Sequence, residues 1–326
     1  LNDKENLFVS QEFMRTIAKR AADEVDHRLY PGDLVDEVYD KLSRYLRVCR
    51  EHLLLGCGAD QLLDLLIALF GKKGVVTVQP TFMYYCERCK LYGTPYRYIW
   101  YNRDLNIDIN ELKPLLSKSS LLILCSPNNP TGHIVPVDVI EELANVFKGI
   151  IVLDEIYAEF SDIKLHELPL NLENVIVVRS FSKAFAAASI RLGYMVGSEK
   201  LIDILRLYQQ PYPVTGFSLK FASILLDYID YFKKVWNEVR EVREWFSKEL
   251  TRYSELYVYP SQANFISFGC NIDAKDLYTK LMHRGFLIRV FDNLLGFRCL
   301  ARVTLTHKNV LEKFIIALGE VIKSSV

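Results

Sequence analysis

The chain has 326 residues, 50% of them hydrophobic and 25% charged, a globular composition with enough apolar side chains for a large core and two domains. Forty acidic and forty basic residues cancel, which excludes a general attraction to nucleic acid or to an anionic membrane, and no apolar run is long enough to span a bilayer. Seven cysteines without framework spacing, and a start (Leu1-Asn2-Asp3-Lys4-Glu5) unlike a signal peptide, predict a reducing, cytoplasmic setting.

In chain order, residues 1–30 form a polar arm, helical from about Ser10 to Val25 with Ser10 as N-cap, and with too little apolar surface to stand alone. Tyr30-Pro31-Gly32-Asp33 is a turn, and apolar residues then recur at helical spacing from Leu34 to Tyr45. Gly56-Cys57-Gly58-Ala59-Asp60 feeds a strongly apolar helix whose N-terminus is a natural phosphate seat. Short apolar strands and helices alternate after it: strand 74–78, helix 80–91, strand 96–100, helix 109–116, strand 121–125, helix 137–147, strand 150–154, strand 174–178 and strand 193–197. The pair Cys86 and Cys89 reads as two thiols on one helix face, and no metal site is expected. Such alternation predicts an α/β fold, with a mostly parallel central sheet covered by helices on both faces. A helical region from Phe217 to Tyr253 leads into strands at 264–268, 286–289 and 302–305, a helix near 277–282 and a closing helix from Asn309. The expected division is therefore an arm (1–30), a large domain (31–230) and a smaller C-terminal α+β domain (231–326).

In a mostly parallel sheet, ligands bind beyond the carboxyl ends of the strands. Lys183 follows the strand 174–178 within Ser180-Phe181-Ser182-Lys183-Ala184-Phe185. A lysine walled by apolar residues is poorly solvated, so its amine is deprotonated easily and can form a Schiff base with a carbonyl. Ser180, Ser182 and Arg191 offer two hydroxyls and a guanidinium fork suited to a phosphate. An amine beside a phosphate grip points to an aldehyde cofactor that carries a phosphate, pyridoxal phosphate. Asp154, at another strand end, suits a protonated pyridine nitrogen. Asn129, in Ser126-Pro127-Asn128-Asn129-Pro130-Thr131-Gly132, and Tyr157 can both donate to the ring's phenolic oxygen, and Phe82 offers a flat face for stacking. Each feature alone has an ordinary explanation as a cap, a turn or core; together they fall at one edge of one sheet.

These motifs resemble the fold-type I pyridoxal-phosphate aminotransferases, and most closely the histidinol-phosphate aminotransferase family. The resemblance runs from Glu5-Asn6 to the last helix through Gly58-Ala59-Asp60, Pro80-Thr81-Phe82, the 126–132 loop, Asp154-Glu155-x-Tyr157-x-Glu159-Phe160, Ser182-Lys183-Ala184-Phe185 with Arg191, Pro211-Tyr212-Pro213, Asn264-Phe265 and Arg302-Val303-Thr304. It implies that Lys183 carries the cofactor and then moves protons. Asp154, Asn129, Tyr157 and Phe82 would hold the ring, and the backbone at Ala59 and Asp60, with Ser180, Ser182 and Arg191, would hold the phosphate. By the same resemblance Tyr30 reaches the cofactor phosphate of a neighbouring subunit, so a homodimer with shared sites is expected. Arg302 would bind the substrate's anionic group with help from Arg289, and Asn6 would lie at the substrate.

The implied reaction is amino transfer from histidinol phosphate to 2-oxoglutarate in histidine biosynthesis. Threonine-phosphate decarboxylation, aromatic amino acid transamination and a non-catalytic, cofactor-binding regulatory protein are the alternatives. The chain departs from the family at Phe82 (usually tyrosine), Ala188-Ser189-Ile190, Leu305-Thr306-His307 and Lys4-Glu5-Asn6-Leu7 (usually Asn-Glu-Asn-Pro).

Overall fold

Runs of leucine and β-branched residues make the centre of the molecule. In the computed structural model, which describes residues 1–324, they form β1 (Leu53–Gly56), β2 (Val75–Gln79), β3 (Tyr96–Trp100), β4 (Leu121–Cys125), β5 (Ile150–Asp154), β6 (Val175–Ser180) and β7 (Gly193–Gly197). These seven strands make one sheet in the order β1-β7-β6-β5-β4-β2-β3. Neighbours from β3 to β6 pair parallel, while β7 runs antiparallel to both β6 and β1. Every residue of β4 and β6 is buried, as expected for parallel strands covered on both faces. Successive side chains serve opposite layers. Leu54, Ile123, Val152, Ile176 and Met195 pack with Leu62 and Leu66 of α3 (Gly58–Phe70), after α1 (Gln11–Asp23) and α2 (Gly32–Leu46) in the chain. Their neighbours Leu53, Leu55, Leu122, Leu124, Leu153 and Val177 join the larger core on the other face.

The remaining helices are α4 (Tyr84–Tyr92), α5 (Ile109–Leu116), α6 (Val137–Val146), α7 (Glu199–Tyr208), α8 (Gly216–Asp227), α9 (Ile229–Leu250), α10 (Ala274–Met282) and α11 (Lys308–Lys323). A second, antiparallel sheet, β10-β11-β9-β8, builds the smaller C-terminal domain from β8 (Tyr257–Val258), β9 (Phe265–Cys270), β10 (Arg289–Leu294) and β11 (Phe297–Thr304). The last two residues of the expected unit 231–326 lie outside the described residues. Among the described residues, no helix is long and apolar enough to cross a membrane.

Ser10 caps α1 by accepting from the Phe13 N–H at 3.2 Å. The arm finds its apolar partner where Phe13 packs on Tyr228, Tyr231 and Phe232, at the junction of α8 and α9. Its first residues lie along β11: the Thr304 N–H donates to the Leu1 carbonyl at 3.0 Å, and the Lys4 N–H to the Thr304 hydroxyl at 3.1 Å.

Several elements differ from expectation. β1 was not anticipated, because three leucines between Arg50-Glu51-His52 and Gly56 are too short a run to separate from a helix start. The helix expected from Pro80 begins only at Tyr84; Pro80 to Met83 form a loop in which the Thr81 N–H turns back to the Gln79 amide oxygen at 3.2 Å. The helical region from Phe217 is two helices broken at Tyr228. The strand expected at 286–289 instead starts at Arg289, where pairing with Arg302 begins. Cys86 is half-buried and Cys89 buried, both as free thiols.

Candidate active site

The carboxyl ends of β4, β5 and β6 open onto a cavity of about 160 Å³. Ala59, Asp60, Phe82, Asn129, Tyr157, Ser180, Ser182, Lys183 and Arg191, scattered over more than a hundred positions of sequence, all line it. Asp154 lies buried close by, directly before the loop that carries Tyr157.

One end of the cavity is built for an anion. β1 runs into Gly58, whose φ of +77° favours glycine, and a Cβ there would lie 2.6 Å from Nη2 of Arg191. Ala59 and Asp60 follow in the first turn of α3, where backbone N–H groups have no partner within the helix. Gly193 lets β7 approach them, since a Cβ at that position would fall 2.6 Å from the Ala59 nitrogen. The Arg191 guanidinium reaches Asp60 at 3.0 Å. The Ser180 hydroxyl accepts from the Ser182 N–H at 3.0 Å and lies 2.9 Å from the Ser182 hydroxyl.

The middle is built from buried polar groups that the chain leaves partly unpaired. Asp154 is 1% exposed; one carboxylate oxygen accepts from the Tyr85 hydroxyl and the other, Oδ1, has no partner. Burial pushes this carboxyl up to about 7. The Tyr157 hydroxyl is likewise buried without a partner, its ring set edge-on to Phe265 at 5.3 Å. Of the two adjacent asparagines, Asn128 holds the loop: it accepts from the Thr81 hydroxyl at 3.0 Å and donates to the Pro80 carbonyl at 2.9 Å. That clip ties the β4 loop to the Phe82 loop. Asn129 accepts from Nη1 of Arg302 and lines the cavity.

Beneath, on the opposite side of the same strand ends, Arg179 donates to Glu155 at 2.8 Å and to Glu159 at 3.4 Å, and approaches Nδ1 of His166 at 3.0 Å. Because side chains alternate along a strand, Asp154 and Ser180 face the cavity while their neighbours Glu155 and Arg179 form this buried pair.

Lys183 closes the cavity. Burial lowers its pKa, and its Nζ donates to the Asp3 carbonyl at 3.0 Å. The Ala184 carbonyl accepts from the Trp236 indole at 2.9 Å and from the Asn6 amide at 3.0 Å, which pins the lysine loop to α9 and to the arm. Asn6 corrects its expected place: it is 5% exposed, spent on this clamp and on the Phe8 N–H, and lines neither cavity. An adjoining cavity, also about 160 Å³, carries Arg302 and Arg289. Arg302 is buried, donates to the Asn2 carbonyl at 2.9 Å, and leaves its Nε unpartnered. Tyr30 does not reach this region within one chain; it is 82% exposed and stacked on Tyr212 at 5.0 Å. Sequence reasoning missed Tyr85, which the aromatic run Phe82-Met83-Tyr84-Tyr85 disguised as core, and Lys4, which lines both cavities.

The sequence model for aminotransferase classes I and II matches residues 1–318. The chain belongs to the class I and II aminotransferases. It is 30% identical to the histidinol-phosphate aminotransferase of Caldanaerobacter subterraneus subsp. tengcongensis over 90% of this chain and 84% of that protein. Among solved structures, the histidinol-phosphate aminotransferase from Sinorhizobium meliloti in complex with pyridoxal-5'-phosphate superposes with a TM-score of 0.89 at 24% identity, covering 100% of this chain and 90% of that one. The L-threonine-O-3-phosphate decarboxylase from Porphyromonas gingivalis shares the fold, with a TM-score of 0.81 at 21% identity over 98% of this chain and 99% of that one.

This aminotransferase is a pyridoxal-phosphate enzyme, and its site fits that cofactor on physical grounds. An unpaired, buried carboxylate oxygen and an unpaired, buried phenol are costly unless something polar fills the space between them. An anion seat that a Cβ at Gly58 would block lies at the far end, and a depressed lysine amine stands beside it.

Proposed function

We propose that the chain moves the amino group of histidinol phosphate to 2-oxoglutarate in histidine biosynthesis. One observation carries the substrate reading: Arg302, buried with a free Nε, sits with Arg289 in the cavity adjoining Lys183. A guanidinium fork there suits a phosphate or carboxylate on a donor whose amine faces the lysine. The relative at 30% identity supports the same donor.

Pyridoxal phosphate, when bound, supplies the electron sink that amino transfer needs. Asp154 would hold the ring nitrogen with its unpaired oxygen, Asn129 and Tyr157 the phenolic oxygen, and Phe82 a ring face. The Ala59 and Asp60 N–H groups, Ser180, Ser182 and Arg191 would hold the phosphate, with Tyr30 of a second copy reaching in. Burial lowers the Lys183 pKa, which favours the neutral amine needed to hold an aldehyde, and its Nζ would take and return the proton at the donor's α-carbon. Arg302 orients the donor by its anionic end. Seven free thiols agree with a cytoplasmic setting.

The test is the visible absorption of the cofactor-loaded protein. Adding histidinol phosphate should convert the band to that of the aminated cofactor, and 2-oxoglutarate should restore it. A band that ignores this pair rejects the donor. The decarboxylase reading rests on the shared fold; carbon dioxide release from threonine phosphate would establish it instead.

A further inference from the structure

We infer that Lys4 is a third cationic anchor of the substrate cavity, selecting donors that end in a dianionic phosphate over those that end in a single carboxylate. The inference rests on the amino-transfer reading above. Lys4 lines both the cavity of Lys183 and the adjoining one of Arg289 and Arg302. Its backbone is held on both sides: the N–H donates to the Thr304 hydroxyl at 3.1 Å, and the carbonyl accepts from the Asn264 amide at 3.0 Å. Between these anchors its φ is +62°, a left-handed conformation that costs a non-glycine residue free energy and is retained where surrounding contacts impose it.

Among the described residues, the Lys4 amine has no hydrogen bond or ion pair. The adjoining cavity is lined by Lys4, Arg289 and Arg302 against one acid, Asp3. Burial, with Arg302 and Lys183 nearby, lowers the Lys4 pKa to about 7, so the charge is disfavoured while the cavity lacks an anion. A monoanionic carboxylate needs only one charge balanced, which the free Nε of Arg302 and the neighbouring Arg289 supply. A phosphate monoester brings about two charges and three acceptor oxygens, more than one guanidinium can satisfy, and restores the Lys4 charge.

The experiment compares the cofactor-loaded wild type with Lys4→Met and Lys4→Arg, after the absorption band has shown equal cofactor loading. Inorganic phosphate is titrated into each protein and read from the band, and turnover is measured with histidinol phosphate and with phosphate-free histidinol. Loss of one charge-assisted contact predicts that Lys4→Met weakens phosphate binding and raises KM for histidinol phosphate about tenfold, with kcat within about threefold and a clearly smaller loss with histidinol. Lys4→Arg should restore both. Unchanged phosphate affinity in Lys4→Met overturns the inference, as does an equal loss with both donors. If no variant turns over histidinol phosphate, the donor reading falls, while the phosphate titration still decides the role of Lys4.

Discussion

Asp154 shows how much one buried side chain controls. Its pKa is raised from 3.8 to about 7, chiefly by burial, so the folded chain binds this proton more tightly than the unfolded chain does. Without cofactor, stability from this group is fully present below about pH 4 and is lost as pH rises through 7, a change of up to roughly 4 kcal/mol. Urea unfolding of the cofactor-free protein should therefore show Asp154→Asn gaining on wild type between pH 5 and pH 8; a constant difference would reject the assignment. Lys183→Ala should lower turnover by about 10³-fold or more, since it removes both nucleophile and proton carrier. At Gly58, alanine meets Arg191 and a positive φ together, so Gly58→Ala should weaken cofactor binding about tenfold in an absorbance titration while Lys183 stays intact. Lys183 and Asp154 are legible in sequence because each stands at or just beyond the end of a readable strand. Tyr85 is not, because an aromatic in a buried helix carries no mark of the hydroxyl's partner.

At the level of elements, the site depends on how β5 and β6 end together. Asp154 pairs with Val178 in register, and one residue later Glu155 meets Arg179, both essentially without solvent access. Removing one member of such a pair leaves the other charge buried and unpaired. Arg179→Met should therefore cost about 3–5 kcal/mol in chemical denaturation, although the partners of Arg179 among the described residues, Glu155, Glu159 and His166, do not line the Lys183 cavity. An unchanged midpoint would show that water reaches Glu155. The strands themselves were readable from apolar runs such as Leu121 to Cys125. β1 was not, because four residues carry too short a pattern, and its identity as a strand comes from pairing with β7. The break between α8 and α9 at Tyr228 was equally hidden: both helices are apolar at helical spacing, and Phe13, which packs at the junction, comes from the distant arm.

For the whole molecule, a second copy is expected at Tyr30. Tyr30 and Tyr212 stack on each other at 5.0 Å while each is more than half exposed, and Leu29, Leu207 and Tyr208, their neighbours in sequence, are more than half exposed as well. Sedimentation should give twice the 37.8 kDa chain mass, and Leu207→Glu should shift it toward one chain and lower cofactor affinity with it. A wild type that sediments as a single chain at micromolar concentration would remove Tyr30 from the site altogether.

Local pattern determined the alternation of strands and helices, the parallel sheet, and the placing of a lysine, an aspartate, an asparagine and two serine hydroxyls at or near strand ends, because each of these is written in neighbouring residues. Only the tertiary structure decided what converges: that Arg302, 119 positions beyond Lys183, opens onto the adjoining cavity, that Asn6 clamps the Ala184 carbonyl, and that Lys4 joins both cavities. Those placements follow from the arm lying along β11 and from the second sheet meeting the loop after β4, where Ser267 donates to the Pro130 carbonyl and Arg302 to Asn129. Contacts between segments so distant leave no periodicity in the chain that makes them.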